Sequence, residues 1–253
     1  MPPQTLAPPS STVKVHKSSM GIPQLLPFLE NATEQSHISA FRGHKCAIDG
    51  YAWLHKASMT CAMEMARGTP TKKFVDFCMK LLNMIKSHGV EPLIVFDGAR
   101  ISAKEGTEEG RQQGRARARK EAGALLAAGE RERAMAAYQK AVDIKPEHAH
   151  QLQLAMRAAG FRFFVAPYEA DAQLAQLARA GHVSLVVTED SDLLAFGCPR
   201  VLYKMQPDGS GQLITRERMA HARAKGGGGG GGGGGPLLFS PWAEWEARPC
   251  LSP

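Results

Sequence analysis

The sequence predicts an α/β fold, with a mostly parallel central sheet flanked by helices and a helical insertion between two of its strands. Short runs of β-branched and aromatic residues alternate with longer segments of helical periodicity, in the order βαβ(α)βαββ. This alternation is typical of parallel sheets covered by helices. The chain has 253 residues, of which 43% are hydrophobic, so it can form a packed core.

Each predicted strand is a short apolar run followed by residues that form turns or carry negative charge. The first strand ends at Asp49, and the second ends at Asp97 and Gly98. In chain order, the five predicted strands span residues 45–48, 92–96, 161–166, 183–187 and 201–205.

The predicted helices carry apolar residues at intervals of three or four positions. The first places Tyr51 and His55 on one face, and the last ends at Gly181, where a left-handed cap costs little. An Ala-rich stretch that is broken near Pro146 predicts a helical hairpin inserted between strands. The predicted helices span residues 51–67, 71–87, 121–159 and 169–180.

Residues 99–120 form a strongly basic segment that contains Lys104. Arg111, Arg115 and Arg119 would share one face of a helix, but glycines recur at the same spacing. Each glycine weakens a free helix by about 1 kcal/mol relative to alanine. A helix that forms on a polyanion is one interpretation and a solvated linker is the other, which composition alone slightly favours. The net charge of +7 favours polyanionic partners such as nucleic acid.

The ends of the chain differ from its centre in composition. Residues 1–19 are rich in proline and serine, lack the apolar core of a signal peptide, and predict a disordered extension. Residues 221–253, which include ten consecutive glycines, predict a flexible linker and an unstructured tail. No apolar run is long enough to span a bilayer, which predicts no membrane association. Five cysteines without a CxxC pair predict reduced, intracellular thiols.

Acidic residues follow four of the predicted strands. Singly, each has an ordinary explanation as a turn former or a helix-start residue. Together they would meet at one edge of a parallel sheet and repel one another unless cations lay among them. Oxygen ligands favour Mg²⁺ or Mn²⁺ over zinc, and two such ions about 4 Å apart promote phosphodiester hydrolysis. The acids are Asp49, Asp97, Glu169, Asp171, Asp190 and Asp192.

Other catalytic arrangements fit the sequence less well. It contains no recognisable Ser-His-Asp set, nucleophilic cysteine or phosphate-cradling glycine loop. Aspartyl-phosphate chemistry needs Asp-x-Asp after the first strand, whereas Asp49 is followed by Gly50 and Tyr51. His55 could contact a nucleotide by stacking or through a phosphate, although a merely packed histidine is an equal alternative.

Five blocks of sequence resemble the characteristic blocks of the structure-specific 5′ nucleases, the flap endonuclease and exonuclease 1 group. They are MGIPQLLPFL, CAIDGYAWLHK, PLIVFDG, APYEADAQLA and TEDSDLLAFG, and the resemblance covers roughly residues 20–218. TEDSDLLAFG, YAWLHK and KSHGVEPLIVFDG are nearest to the exonuclease 1 branch of eukaryotes. The resemblance implies a PIN-like 5′ nuclease domain over residues 20–220, with a helical arch at about 99–145.

The resemblance further implies a Mg²⁺-dependent 5′-to-3′ DNA exonuclease with 5′-flap cleavage. Its substrates would be DNA with 5′ ends, nicks or 5′ flaps. It would be a nuclear monomer that acts in mismatch repair and end resection, with mismatch-repair proteins as partners.

The resemblance also assigns roles to individual residues. The six acids fall on the family's positions for two metal ions. Lys104 and Arg111 fall on catalytic arch residues that reach the scissile phosphate, and Arg115 is a further arch cation that binds DNA. Tyr51, His55 and Gly21 fall on positions that contact or lie near the DNA. These assignments favour the arch over the solvated linker for residues 100–120.

The sequence departs from the family pattern in its second half. The family has a Gly-x-Asp-Tyr-like block with a further metal-binding Asp, followed by a helix-two-turn-helix element that grips duplex DNA. Neither is matched after residue 220, and a nineteen-residue extension precedes Met20. We therefore expect an incomplete or misassembled gene product that starts at Met20. Two alternatives stay open, a truncated and catalytically impaired DNA-binding fragment and a PIN-like ribonuclease.

Overall fold

The computed structural model describes residues 29–99 and 105–219. Within them, seven strands form one sheet in the order β1-β7-β6-β5-β2-β3-β4. The strands are β1 (Thr33–His37), β2 (Lys45–Asp49), β3 (Glu91–Phe96), β4 (Arg162–Val165), β5 (Leu185–Thr188), β6 (Arg200–Tyr203) and β7 (Ser210–Thr215).

Five neighbouring strands of the sheet, β4, β3, β2, β5 and β6, are parallel. These are the five strands predicted from the sequence, so the predicted α/β fold with a mostly parallel sheet is confirmed. The prediction missed β1 and β7, which add two antiparallel strands at one edge. Strand β1 reads TEQSH and has no alternating apolar pattern, so pairing with β7 rather than its own sequence makes it a strand.

Helices cover both faces of the sheet. In chain order they are α1 (Gly50–Ser58), α2 (Ala62–Ala66), α3 (Lys73–Ser87), α4 (Glu105–Ala127), α5 (Arg131–Ala141), α6 (Pro146–Ala158), α7 (Ala170–Arg179) and α8 (Asp192–Ala195).

Two helix predictions differ from the structure. The helix predicted at 51–67 is divided by a 3₁₀ turn, Met59–Cys61, because the Ser58 and Thr60 hydroxyls donate to the carbonyls of His55 and Ala57 and loosen the helix there. The helix predicted from residue 121 is already helical at residue 105, so the basic segment is helical there and continues into the predicted hairpin. Besides the predicted break before Pro146, the Ala-rich stretch has a second break between α4 and α5, where the hairpin turns at Gly129, whose φ is +82°.

Side chains alternate along the strands between two cores. One face packs Ile48 and Ile94 against α1, α3 and α6, with Trp53 fully buried. The other face packs Val95 and Val186 against α7. A third cluster joins the α4–α5 hairpin to α2. Both faces of the parallel strands are therefore covered, which leaves their carboxyl-terminal edge for a site.

Some predictions lie outside the described residues. They include the amino-terminal extension, the glycine-rich tail, Gly21 and Lys104. Cys46, Cys61, Cys78 and Cys198 are buried and unpaired with one another in the described part of the chain. Of the helices in these two ranges, none combines the length and the apolar character needed to cross a membrane.

Candidate metal centre

Four adjacent parallel strands carry acidic residues to one edge of the sheet. Asp49 is the last residue of β2 and lies level with Val95 of β3, so Asp97 lies two residues beyond it. On the other side of β2, Ile48 is level with Val187 of β5, so the next residue of β5, Thr188, is level with Asp49. Asp190 lies two residues beyond Thr188. The register therefore places Asp97 and Asp190 symmetrically on either side of Asp49.

Asp49 is the most enclosed of these acids, with 9% of its surface exposed. Its carboxylate caps α1 by accepting a hydrogen bond from the Ala52 amide at 3.0 Å. Its pKa is raised to about 7, chiefly by burial and also by the nearby charges of Asp97 and Asp190, whereas the Ala52 amide opposes the change. Without a cation, this carboxyl group is therefore partly protonated near neutral pH.

Asp171, in the first turn of α7, is the electrostatic centre of the site. Its pKa is raised to about 7, chiefly by burial and also by the charges of Asp49, Asp190, Asp97 and Asp192. Burial also raises the pKa of Asp190, and the charge of Asp192 adds to this, whereas the Asp192 amide opposes it by donating to Asp190 at 3.0 Å. Five aspartates from four strand ends thus act on one another.

The loops after β3 and β4 are joined to each other beside this cluster. Asp97 accepts a hydrogen bond from the Ala170 amide at 2.7 Å, and Gly98 donates to the Tyr168 carbonyl at 2.6 Å. A Cβ atom on Gly98 would lie 1.9 Å from the Ala166 carbonyl oxygen. In the sequence Gly98 is an ordinary turn residue after a strand, and only the structure shows the close approach that requires a glycine there.

The two remaining acids near the cluster behave differently from the five aspartates. Glu189 pairs with Lys56, whose Nζ lies 2.6 Å from the carboxylate and also donates to the Met205 carbonyl. This ion pair directs Glu189 toward α1. Glu169 is the half-buried N-cap residue of α7, two residues before Asp171.

The donor set suits a hard divalent cation. Within residues 29–99 and 105–219, no group of three or more His, Cys, Asp or Glu side chains is placed closely enough to hold a metal ion as the side chains stand. In the same part of the chain, however, Oδ1 of Asp192 is buried without a hydrogen-bond partner. A buried acceptor without a donor, together with mutually repelling carboxylates, is the arrangement that a bound cation stabilises. The chemistry of these oxygen donors therefore fits the predicted metal.

Tyr203 is a neighbour of the cluster that the sequence analysis missed. Its side chain is fully buried at the end of β6, and in the described residues its hydroxyl has no hydrogen-bond partner. Burial raises its pKa strongly, and the charges of Cys198, Asp190, Asp192 and Asp171 raise it further. No sequence signal marks it, because a tyrosine at a strand end is ordinary.

The residues expected to contact DNA lie on two elements. Tyr51 of α1 is half-buried, with its ring edge-on to Phe96 at 6.3 Å. His55, one turn later, is exposed, and partial desolvation of its ring by neighbouring atoms lowers its pKa. On α4, Arg111 is exposed and the Arg115 Nε lies 3.3 Å from the Asp143 carboxylate.

Comparisons with known proteins agree with this fold and with the matched blocks. Exonuclease 1 of Xenopus laevis is 42% identical over 207 residues, which are 82% of this chain and 28% of the relative. Exodeoxyribonuclease 1 of Saccharomyces cerevisiae is 41% identical over 198 residues, 78% of this chain and 28% of the relative. The chain thus spans little more than a quarter of the length of these relatives.

The fold is also found in the catalytic core of Rad2 in complex with DNA substrate, with a TM-score of 0.57 at 17% identity, over 81% of this chain and 57% of that one. The XPG N-terminal domain matches residues 20–118, and the XPG I-region matches residues 160–225. All five aspartates of the cluster lie in these two regions. Because the two domains together cover most of the chain in one order and on one sheet, the chain belongs to the XPG family of 5′ nucleases, within which it is similar to exonuclease 1.

Proposed function

We propose that this chain hydrolyses phosphodiester bonds of DNA at 5′ ends, nicks and 5′ flaps, as a 5′-to-3′ exonuclease with flap endonuclease activity. The observation that carries the proposal is the cluster of five aspartates at one sheet edge, in which Asp171 interacts with all four others. Similarity to exonuclease 1 supports the class of reaction and substrate.

We further propose that the five aspartates, with Glu169, hold two Mg²⁺ ions, for which Mn²⁺ could substitute. Such ions supply a water of lowered pKa and stabilise charge on the leaving oxygen. The chain's own contribution is rigidity, because Asp49 is held by the Ala52 amide and Asp97 by the Ala170 amide. Carboxylates held by backbone hydrogen bonds keep their positions while substrate binds.

On the substrate side, we propose that cations of the arch contact phosphates. Lys104 and Arg111 would stabilise charge at the scissile phosphate, and Arg115 would bind the neighbouring backbone. Tyr51 and His55 would contact the nucleotide beside the cut, and Gly21 would lie near the DNA. The proposal places the protein in the nucleus as a monomer in DNA repair, with mismatch-repair proteins as candidate partners.

The proposal is tested with a 5′-labelled recessed duplex and a 5′-flapped duplex, in Mg²⁺ and in EDTA. We expect metal-dependent release of 5′ nucleotides and flap products, and loss of both in Asp171→Asn, which keeps the shape of the side chain. Glu91→Gln is the matched control, because Glu91 is exposed at the opposite end of the strand that leads to Asp97. Its cleavage should equal that of the unaltered chain.

Three results would overturn the proposal. Cleavage that persists in EDTA or in Asp171→Asn would exclude the carboxylate cluster as its source. Preference for an RNA strand over the recessed DNA duplex would support the PIN-like ribonuclease instead. Metal-independent binding of the flapped duplex without any cleavage would support an impaired DNA-binding fragment.

A further inference from the structure

A cavity of about 500 Å³ lies apart from the carboxylate cluster, between the end of α2, the helix α4 and the segment that joins α5 to α6. None of the five aspartates is among the described residues that line it. Its charged and ring-bearing lining consists of Arg67, Arg115, Arg119, Asp143, Lys145 and His148. The cavity is therefore walled by four cations and one carboxylate.

The charges around the cavity are unbalanced. Asp143 pairs with Arg115, with 3.3 Å between its carboxylate and the guanidinium Nε. In the described ranges, no carboxylate forms an ion pair with Arg67, Arg119 or Lys145. Like charges around one concave space raise the local potential and favour an anion within it. Guanidinium groups match the oxygens of phosphate with paired hydrogen bonds.

His148 adds a neutral donor to this lining. Its Nδ1 accepts a hydrogen bond from the Lys145 amide at 2.9 Å, and its ring packs edge-on to Phe74 at 5.3 Å. Burial lowers its pKa, which favours the neutral ring at pH 7. Because Nδ1 accepts, the proton of the neutral ring lies on Nε2, which is left as a hydrogen-bond donor.

We propose that this cavity is a phosphate subsite for the single-stranded 5′ part of a nucleic acid substrate, several nucleotides from the cleaved bond. Arg111, Arg115 and Arg119 recur every four residues along α4, with a rise of about 6 Å between successive positions. A strand that follows this face from Arg111 would bring a later phosphate to Arg119 and Lys145. The concave shape suits one phosphate and its sugar rather than the broad surface of a duplex. This inference rests on the proposed function.

The test measures binding by fluorescence anisotropy in EDTA, so that cleavage does not enter. The ligands are labelled duplexes with a recessed 5′ end or with 5′ flaps of two, six and ten nucleotides. In the double variant Arg119→Gln/Lys145→Gln, the ratio of affinities for the ten-nucleotide flap and the recessed end should fall about tenfold. The slope of log affinity against log salt for the long flap should become shallower by about 1.4, about 0.7 for each lost phosphate contact to a single strand.

Arg117→Gln is the matched control, because Arg117 is exposed on the same helix and does not line the cavity. It should leave the dependence on flap length unchanged, and Arg119→Lys/Lys145→Arg should restore most of the lost affinity. Thermal unfolding of each variant confirms that it is folded. An equal loss on recessed and flapped duplexes, or an equal effect of Arg117→Gln, would overturn the subsite.

The two proposals fail separately. If the unaltered chain cleaves the recessed duplex but the flap-length ratio does not change in the double variant, the subsite is wrong and the nuclease function stands. If the ratio changes as expected but no duplex is cleaved in Mg²⁺, the subsite stands as a binding feature and the proposed function is wrong.

Discussion

The carboxylate of Asp97, just beyond one strand, accepts a hydrogen bond at 2.7 Å from the backbone amide of Ala170, the first residue of the helix that carries Asp171. This bond joins parts of the chain that are 73 positions apart. It sets the position of one acid of the cluster relative to another, so Asp97 has a structural role beside its proposed chemical one.

The two roles of Asp97 are separable by substitution. Asparagine keeps an oxygen that can accept from Ala170, whereas alanine does not. We expect Asp97→Asn to retain stability and lose cleavage, and Asp97→Ala to lose cleavage and about 1 kcal/mol of unfolding free energy. Urea denaturation measures the second quantity. If the two variants were equally stable, the hydrogen bond to Ala170 would not contribute.

The raised pKa of Asp49 predicts a pH-dependent stability of the metal-free protein. Its ordinary value is 3.8 and its value in the folded chain is about 7, so the folded state binds the proton more tightly than the unfolded state. The carboxyl group therefore destabilises the fold progressively as the pH rises from about 4 to about 7, and fully above that range. In EDTA, Asp49→Asn should be more stable than the unaltered chain at pH 8, on the order of 2 kcal/mol, and equally stable below pH 4.

Adding Mg²⁺ at pH 8 should make the unaltered chain more stable than Asp49→Asn. Metal binding stabilises the unaltered chain by mass action, and Asp49→Asn has lost one charged ligand. Asparagine still caps α1 through Ala52, so the comparison reports charge rather than a lost cap. Thermal unfolding with and without Mg²⁺ measures both effects. A variant that is less stable than the unaltered chain in EDTA at pH 8 would contradict the repulsive cluster.

The close approach between Gly98 and the Ala166 carbonyl can be tested by adding a methyl group at residue 98. In Gly98→Ala, the new Cβ would lie 1.9 Å from the Ala166 carbonyl oxygen, so the loops after β3 and β4 must separate. We expect a loss of about 3 kcal/mol in unfolding free energy and a weaker Mg²⁺ response. Gly123→Ala is the control, because open space surrounds that position in α4, and it should stabilise the chain by up to about 1 kcal/mol. Equal effects at both positions would refute the close approach.

Tyr203 predicts a stabilising substitution. Its hydroxyl is buried without a partner in the described residues, and an unsatisfied buried group costs free energy. Tyr203→Phe removes the hydroxyl and keeps the ring, so the unfolding free energy should rise by about 1 kcal/mol in the metal-free chain. Tyr203→Leu, which also removes volume, should lower it. A loss of stability in the phenylalanine variant would show that the hydroxyl has a partner in solution.

Local sequence was sufficient for the parallel part of the fold and for the candidate acids. Strands β2 to β6 are short apolar runs that end in turn residues, and both signals lie within a few positions of each other. Consecutive parallel strands present their carboxyl ends at one edge, so placing Asp49, Asp97 and Asp190 together required no long-range information. The sequence blocks that resemble the 5′ nucleases extended the prediction to the helical arch.

Only the tertiary structure decided the features that depend on distant partners. Strand β1 is polar and becomes a strand because β7 pairs with it, and Glu189 leaves the cluster because Lys56 of α1 lies beside it. Three further features also depend on segments far apart in the chain. They are the hydrogen bond from the Ala170 amide to Asp97, the burial of Tyr203, and the basic cavity between α2 and α4. Sequence determined which residues carry charge and where each strand ends. Packing determined which of those charges face one another, because the packing is stabilised by contacts between distant residues, which no local pattern encodes.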